Sequence, residues 1–241
     1  MINKICTLLM LIISAISLSA CEDKSVASCD NLIEAINNVI SKEEIYIVVP
    51  CLSLRADKTV PPFVVIDPML KNKNNYRLAT QKEIYLNRIV QYAKAMERSG
   101  AISLRQSRFK LYLPYTGEQI FSGYEVDYDR NIARTLQPTP FYGLGKANVG
   151  RVQVSEILKT TNPFFNDGVK YVDITFNIKL TDVLDCIDEE LLYDSFVKEE
   201  VDDVKATYRL YLDKDSLSWK VKDPKALNID PVRKFFSYLI E

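Results

Sequence analysis

The chain has 241 residues, enough for one large domain or two small ones. Apolar residues make up 47% and charged residues 26%, which supplies a packed core and excludes wholesale disorder. Histidine is absent, which excludes Ser-His, Cys-His and His-metal sites, and a formal charge of −1 gives no global pull toward nucleic acid or anionic lipid.

At the N-terminus, Lys4 supplies a short positive start and Ile5 to Leu18 an apolar run that ends in Leu18-Ser19-Ala20-Cys21. The run is shorter than the ~20 residues a membrane span needs, and the small residues before Cys21 suit a processing site. These residues resemble the type II signal peptide of bacterial lipoproteins, whose Leu-Ser-Ala-Cys lipobox is matched residue for residue. The resemblance implies a signal peptide over 1–20, a lipidated, palmitate-bearing Cys21, a tether over 21–28 and a site at the periplasmic face of the cell envelope. Glu22 stands where many lipoproteins held at the inner membrane carry Asp, which favours the outer membrane. An uncleaved anchor and an ordinary secretory signal are the alternatives.

Next, Ser28 or Asp30 can cap a helix to about Ser41, with Leu32, Ile33, Ile36, Val39 and Ile40 at helical spacing. Lys42-Glu43-Glu44 makes a turn, and Ile45 to Cys51 reads as a buried, β-branched strand. A helix of about 12 residues rises roughly 18 Å, and a strand of about 6 residues returns roughly 20 Å. That reversal brings Cys51 beside Cys29, in a compartment that permits disulfides, so the pair is expected to form a bridge. Two reduced cysteines, or Cys186 as the partner, are the other readings.

Thr80 caps a helix from Gln81 to Ser99, where Ile84, Ile89, Tyr92, Ala93 and Met96 share a face and Gly100 ends it. Ala101 to Leu104, a basic turn and Phe109 to Leu113 follow, leading to Thr116-Gly117. This order is similar to the wing region of winged-helix modules. The expected use is a reused scaffold and no nucleic-acid partner, since the anchor places it outside the cytoplasm and Arg98, Arg105, Arg108 and Lys110 are few.

Beyond Pro138 come strand patterns over 147–159, 169–180, 206–212 and 217–221, the last two joined by Asp213-Lys214-Asp215-Ser216, then a helix over 231–241. The expected fold is α+β: an N-terminal helix and strand with a winged-helix-like region over 29–137, then an antiparallel sheet domain over 138–241 with one wet face. Taken together, the chain resembles functionally uncharacterised envelope lipoproteins, which implies a two-part architecture and no borrowed activity.

Gly143-Leu144-Gly145-Lys146 lacks the spacing and hydroxyl of a phosphate loop and reads as a turn before a strand. Between Asp182 and Asp203 lie ten carboxylates, with Leu184, Ile187, Leu191 and Leu192 able to give an amphipathic helix an acidic outer face, read first as a solvated surface and next as a docking face for a basic partner. No calcium-loop spacing occurs there. Glu118 and Glu125 are carboxylates near Tyr124 and Tyr128, but nothing in the spacing selects a catalytic pair. The expectation is therefore a non-enzymatic protein-interaction module for an envelope or exported protein, an immunity or inhibitor protein being its sharper form. No catalytic residue, metal or cofactor is assigned, and the oligomeric state stays open. Glu199, Glu200, Asp202, Asp203 and Lys146 are its candidate contacts. The alternative is a peptidoglycan-binding or glycan-hydrolysing protein with paired carboxylates.

Overall fold

The computed structural model describes residues 24–53, 62–70, 80–113, 117–141 and 143–240. The signal segment, the lipobox and Cys21 lie outside them, as do the polar stretch 71–75 and residues 114–116. In chain order the elements are α1 (Cys29–Ile40), β1 (Glu44–Pro50), β2 (Leu52–Ser53), β3 (Phe63–Ile66), α2 (Thr80–Ser99), β4 (Ile102–Leu113), β5 (Gly117–Tyr128) and α3 (Arg130–Thr135). There follow β6 (Gln137–Pro138), β7 (Leu144–Thr160), β8 (Phe164–Asn166), β9 (Val169–Thr181), α4 (Glu189–Asp194), α5 (Val197–Asp202), β10 (Lys205–Asp213), β11 (Ser218–Lys222) and α6 (Pro231–Ile240). The fold is α+β with a large antiparallel sheet. That sheet has the order β1-β7-β9-β10-β11, with β6 on β7 and β8 on β9, and a second sheet has the order β2-β3-β5-β4.

The chain divides into two compact units that interleave in sequence. The smaller takes the described part of Met1–Val39, with Ile157–Thr175 and Thr207–Pro224; the larger takes Ile40–Glu156, Phe176–Ala206 and Lys225–Glu241.

In the smaller unit, Ser28 caps α1 by accepting from the Asn31 amide at 3.3 Å. Leu32, Ala35 and Ile36 face inward. The Val26 carbonyl accepts from Asn31 Nδ2 at 2.9 Å and from the indole of buried Trp219 at 3.2 Å, which fastens the segment before the helix. The β10–β11 hairpin turns where its polar residues predict. Asp213 accepts from Ser216 at 2.7 Å and pairs with Lys220, and these two hold its carboxyl down to about 2. On the same sheet Arg209 grips Asp173 with two nitrogens, at 2.7 and 2.9 Å.

In the larger unit, β1 pairs with β7 from Glu44↔Arg151 to Pro50↔Leu144 and packs against α2, α5 and α6. Ile45, Ile47, Val48 and Val49 are buried, each worth about 1.5–3 kcal/mol of transfer free energy. Helix α2 closes on the Ala101 amide donating to Met96 O at 3.0 Å. The Gly-Leu-Gly-Lys run opens β7 as a strand with β1 on one side and β6 on the other. A Cβ at Gly145 would lie 3.0 Å from Cys51 Cβ and 3.1 Å from Gln137 O, a tight fit that favours glycine there.

Three expectations change. The basic residues Arg105 to Arg108 form no turn: β4 runs unbroken through them, paired with Glu125 to Ser122 of β5. Arg105 and Arg108 sit on exposed positions and Arg105 pairs with Glu125, so the charges are compatible with a strand. The acidic segment is two helices, because Phe196 takes a left-handed conformation (φ 62°) between α4 and α5. The Cys29–Cys51 disulfide is not formed. Cys29 is exposed at the start of α1, whereas Cys51 is buried with its sulfur against the Tyr128 hydroxyl.

Burial pushes the thiols of Cys51 and Cys186 up to about 11; Asp129 adds to the effect at Cys186. Iodoacetamide labelling of the native protein at pH 8 is therefore expected to modify Cys29 first and to leave Cys51 and Cys186 slow until the pH nears 11 or the chain unfolds. Equal labelling of all three at pH 8 would refute this.

Candidate functional site

Along one flank of α2, Arg88, Gln91, Tyr92, Ala95 and Arg98 recur at helical spacing over about 15 Å. In the larger unit this flank meets α4 and α6 and borders a cleft of about 520 Å³. Tyr193, Asp194 and Phe196 line it from α4 and the residues after it, Phe235 and Tyr238 from α6. Each helix comes with local reasons to form. Asp188 caps α4 by accepting from the Leu191 amide at 2.8 Å, while α6 starts on Pro231 with Asp230 accepting from the Arg233 amide at 3.1 Å.

The cleft floor is aromatic. Phe235 is 1% exposed, with ring centroids at 4.4 Å from Tyr92 and 6.2 Å from Phe196 and Tyr238. The Tyr92 hydroxyl donates to Val48 O at 2.8 Å. Burial, then the charge of Asp194, pushes its phenol far above the ordinary range, so Tyr92 stays protonated and is a packing group. Tyr193 and Tyr238 remain 48% and 43% exposed, large apolar surfaces left at the mouth.

The rim beside α2 is cationic. Arg88 lies over the Tyr238 ring at 4.6 Å and donates to the Tyr238 carbonyl. Lys94 is exposed, its ammonium 5.7 Å from the Tyr124 ring. Arg98 reaches Glu190 at 3.6 Å, a contact exposed on both sides and so weak.

The sequence-expected contacts lie elsewhere in the same unit. Glu199 and Glu200 both hold Lys234, at 3.0 and 3.3 Å, and raise the pKa of its ammonium. Asp202 pairs with Lys198 across one turn at 2.7 Å; Asp203 is exposed. Lys146 sits on β7 with its ammonium 4.1 Å over the Tyr46 ring. Glu118 and Glu125 are not brought together. They stand an odd seven places apart on β5, on opposite faces and about 23 Å apart along the strand. Glu118 pairs with Lys110 at 2.5 Å. Arg105, then Ser107, holds the Glu125 carboxyl below its ordinary value.

Among the described residues no group of three or more His, Cys, Asp or Glu could hold a metal ion. No described helix is long and apolar enough to cross a membrane. Sequence reading missed the cleft because its walls come from segments about a hundred residues apart; the α2 stripe was the one signal within reach. Comparison of the chain with protein-family models, with curated proteins and with solved structures finds no match.

Proposed function

We propose that this chain is a lipid-anchored protein of the bacterial cell envelope that acts by binding another protein. The observation that carries the reading is the cleft of the larger unit, with its aromatic floor, two exposed tyrosines and row of cations. These groups suit adhesion, since aromatic side chains and arginine supply most of the energy in protein contacts. The paired acids Glu199, Glu200 and Asp202 then serve the surface around the cleft by holding Lys234 and Lys198. The β4–β5 hairpin belongs to the reading as a scaffold with a wing-like plan, turned to a protein partner and not to nucleic acid. An immunity or inhibitor protein is the narrower form.

The anchor has a geometric consequence. Val26 is fastened to the smaller unit, so a lipid on Cys21 is joined to that unit by about five residues, at most about 18 Å of chain.

A photo-crosslinking amino acid in place of exposed Gln91, at the cleft, is expected to trap one dominant protein in intact cells. The same group in place of exposed Asn162, in the smaller unit, is expected not to trap it. Glycan adducts from the Gln91 position, or the same adducts from both positions, would overturn the reading in favour of a cell-wall role.

A further inference from the structure

We propose that the occupant of the cleft is an acidic peptide segment of the partner, with a bulky apolar side chain set between carboxylates; this rests on the binding reading above. The first argument is the balance of charge at the cleft. Arg88, Lys94 and Arg98 line the α2 edge, and Asp194 is the one carboxylate among the described lining residues. The second is where compensation has already occurred. Three acids of α5 have partners within the unit, Glu199 and Glu200 sharing the single ammonium of Lys234 and Asp202 pairing with Lys198, at 2.7 to 3.3 Å. Among the described residues the α2 cations are held less closely: Lys94 lies against the Tyr124 ring, and Arg98 makes an exposed contact to Glu190 at 3.6 Å. The acidic run is therefore partly offset at α5, while the described lining of the cleft carries three cations against one carboxylate. An acidic segment gains from that field both in docking rate and in specificity.

The third argument is the floor. Carboxylates alone would leave the half-buried Phe196 and the exposed faces of Tyr193 and Tyr238 against water. A phenylalanine or leucine between the acids covers those rings while its neighbours reach the cations. An extended or helical segment both fit a trough whose cationic edge is about 15 Å long.

The probe is a fluorescein-labelled synthetic peptide in which Phe and Leu stand between runs of Asp and Glu, titrated against the full chain as its bacterial host processes it. Saturable binding that weakens as salt rises is expected. Replacing its acids by Lys, or its Phe and Leu by Ala, is expected to weaken binding about tenfold or more. Lys94→Glu with Arg98→Glu is expected to weaken it by a similar factor and flatten the salt dependence. Tyr193→Ala is expected to weaken it several-fold without changing that dependence, and Lys222→Glu, in the smaller unit, to leave it unchanged. Far-ultraviolet circular dichroism and the melting temperature should stay at their wild-type values, since Lys94, Arg98 and Lys222 are polar side chains on exposed positions.

Equal binding of the acidic and lysine peptides would overturn the proposal, as would indifference to the Lys94→Glu, Arg98→Glu pair. Self-association of the chain abolished by that pair, with no peptide binding, would also overturn it and give the cleft to a second copy. A protein trapped at position 91 together with a failed peptide titration leaves the binding reading standing and removes only the acidic segment.

Discussion

Gly123→Ala is expected to detach β3 from β5 and to cost about 3 kcal/mol or more. The reason is contact with fixed backbone. A Cβ at Gly123 would come within 2.0 Å of Val65 O, 3.0 Å of Val65 C and 3.1 Å of Asp67 N. No side-chain rotation relieves that, because each atom belongs to the main chain of the neighbouring strand, where Gly123 stands opposite Ile66. The strand must move, and what it gives up is specific. The Asp67 amide donates to Ser122 O at 3.1 Å, and the buried Asp67 carboxylate accepts from the Met69 amide at 2.9 Å. Val64 of β3 also closes a small core with Phe109, Leu111 and Phe121, against which Leu52 and Ile66 pack. Urea unfolding gives the cost, and amide hydrogen exchange gives the place: Val64, Val65 and Asp67 should lose protection before the β4–β5 pairs do. A cost below about 1 kcal/mol, with protection unchanged, would mean that β3 lies off β5.

The same glycine shows why part of this fold could not be read from sequence. β5 mixes the strand formers Ile120, Phe121, Tyr124, Val126 and Tyr128 with Glu118, Gln119, Ser122 and Gly123, so its pattern alone is ambiguous. It is a strand because β3 and β4 hydrogen-bond to it on both edges, and neither edge is local information. Where the determinant is local, sequence reading succeeds. The α1 stripe, the β1 run, the turn at Asp213 to Ser216 and the Pro231 start of the last helix all depend on residues within a few places of one another. The acidic segment lies between these cases. Its caps and apolar stripe are readable, but the left-handed Phe196 that splits it is not, since a bulky residue accepts that conformation only when its surroundings hold it. Phe196 is held by Phe235, Tyr238 and Lys234, all supplied by α6. The acids are plain in the sequence too, but the pairing of Glu199 and Glu200 depends on Lys234, more than thirty residues downstream. Charge counted along the chain therefore does not tell which of these acids are paired.

Phe235→Ala is expected to be the most damaging single truncation at the cleft, costing about 3–5 kcal/mol. For a chain of this length that lowers the melting temperature by roughly 6–20 °C. Phe235 is 1% exposed, so the loss includes both its transfer free energy and a cavity beneath Tyr92, Phe196 and Tyr238. Collapse into that cavity is resisted from two sides. Tyr92 is fixed by its hydrogen bond to Val48 O, and α6 is fixed by Val232 and Leu239, buried on the same helix face. The midpoint in urea should fall with an unchanged slope, because the surface exposed on unfolding stays nearly the same. Phe235→Leu should recover most of the loss by refilling the space. Tyr193→Ala separates stability from recognition: its side chain is 48% exposed, so it should cost under about 1 kcal/mol while weakening whatever the cleft holds. A Phe235→Ala protein that melts within a few degrees of the wild type would show that α6 does not depend on the aromatic cluster. The cleft would then be a surface groove whose floor carries no weight in the fold, and its tyrosines and cations would have to be judged by binding alone.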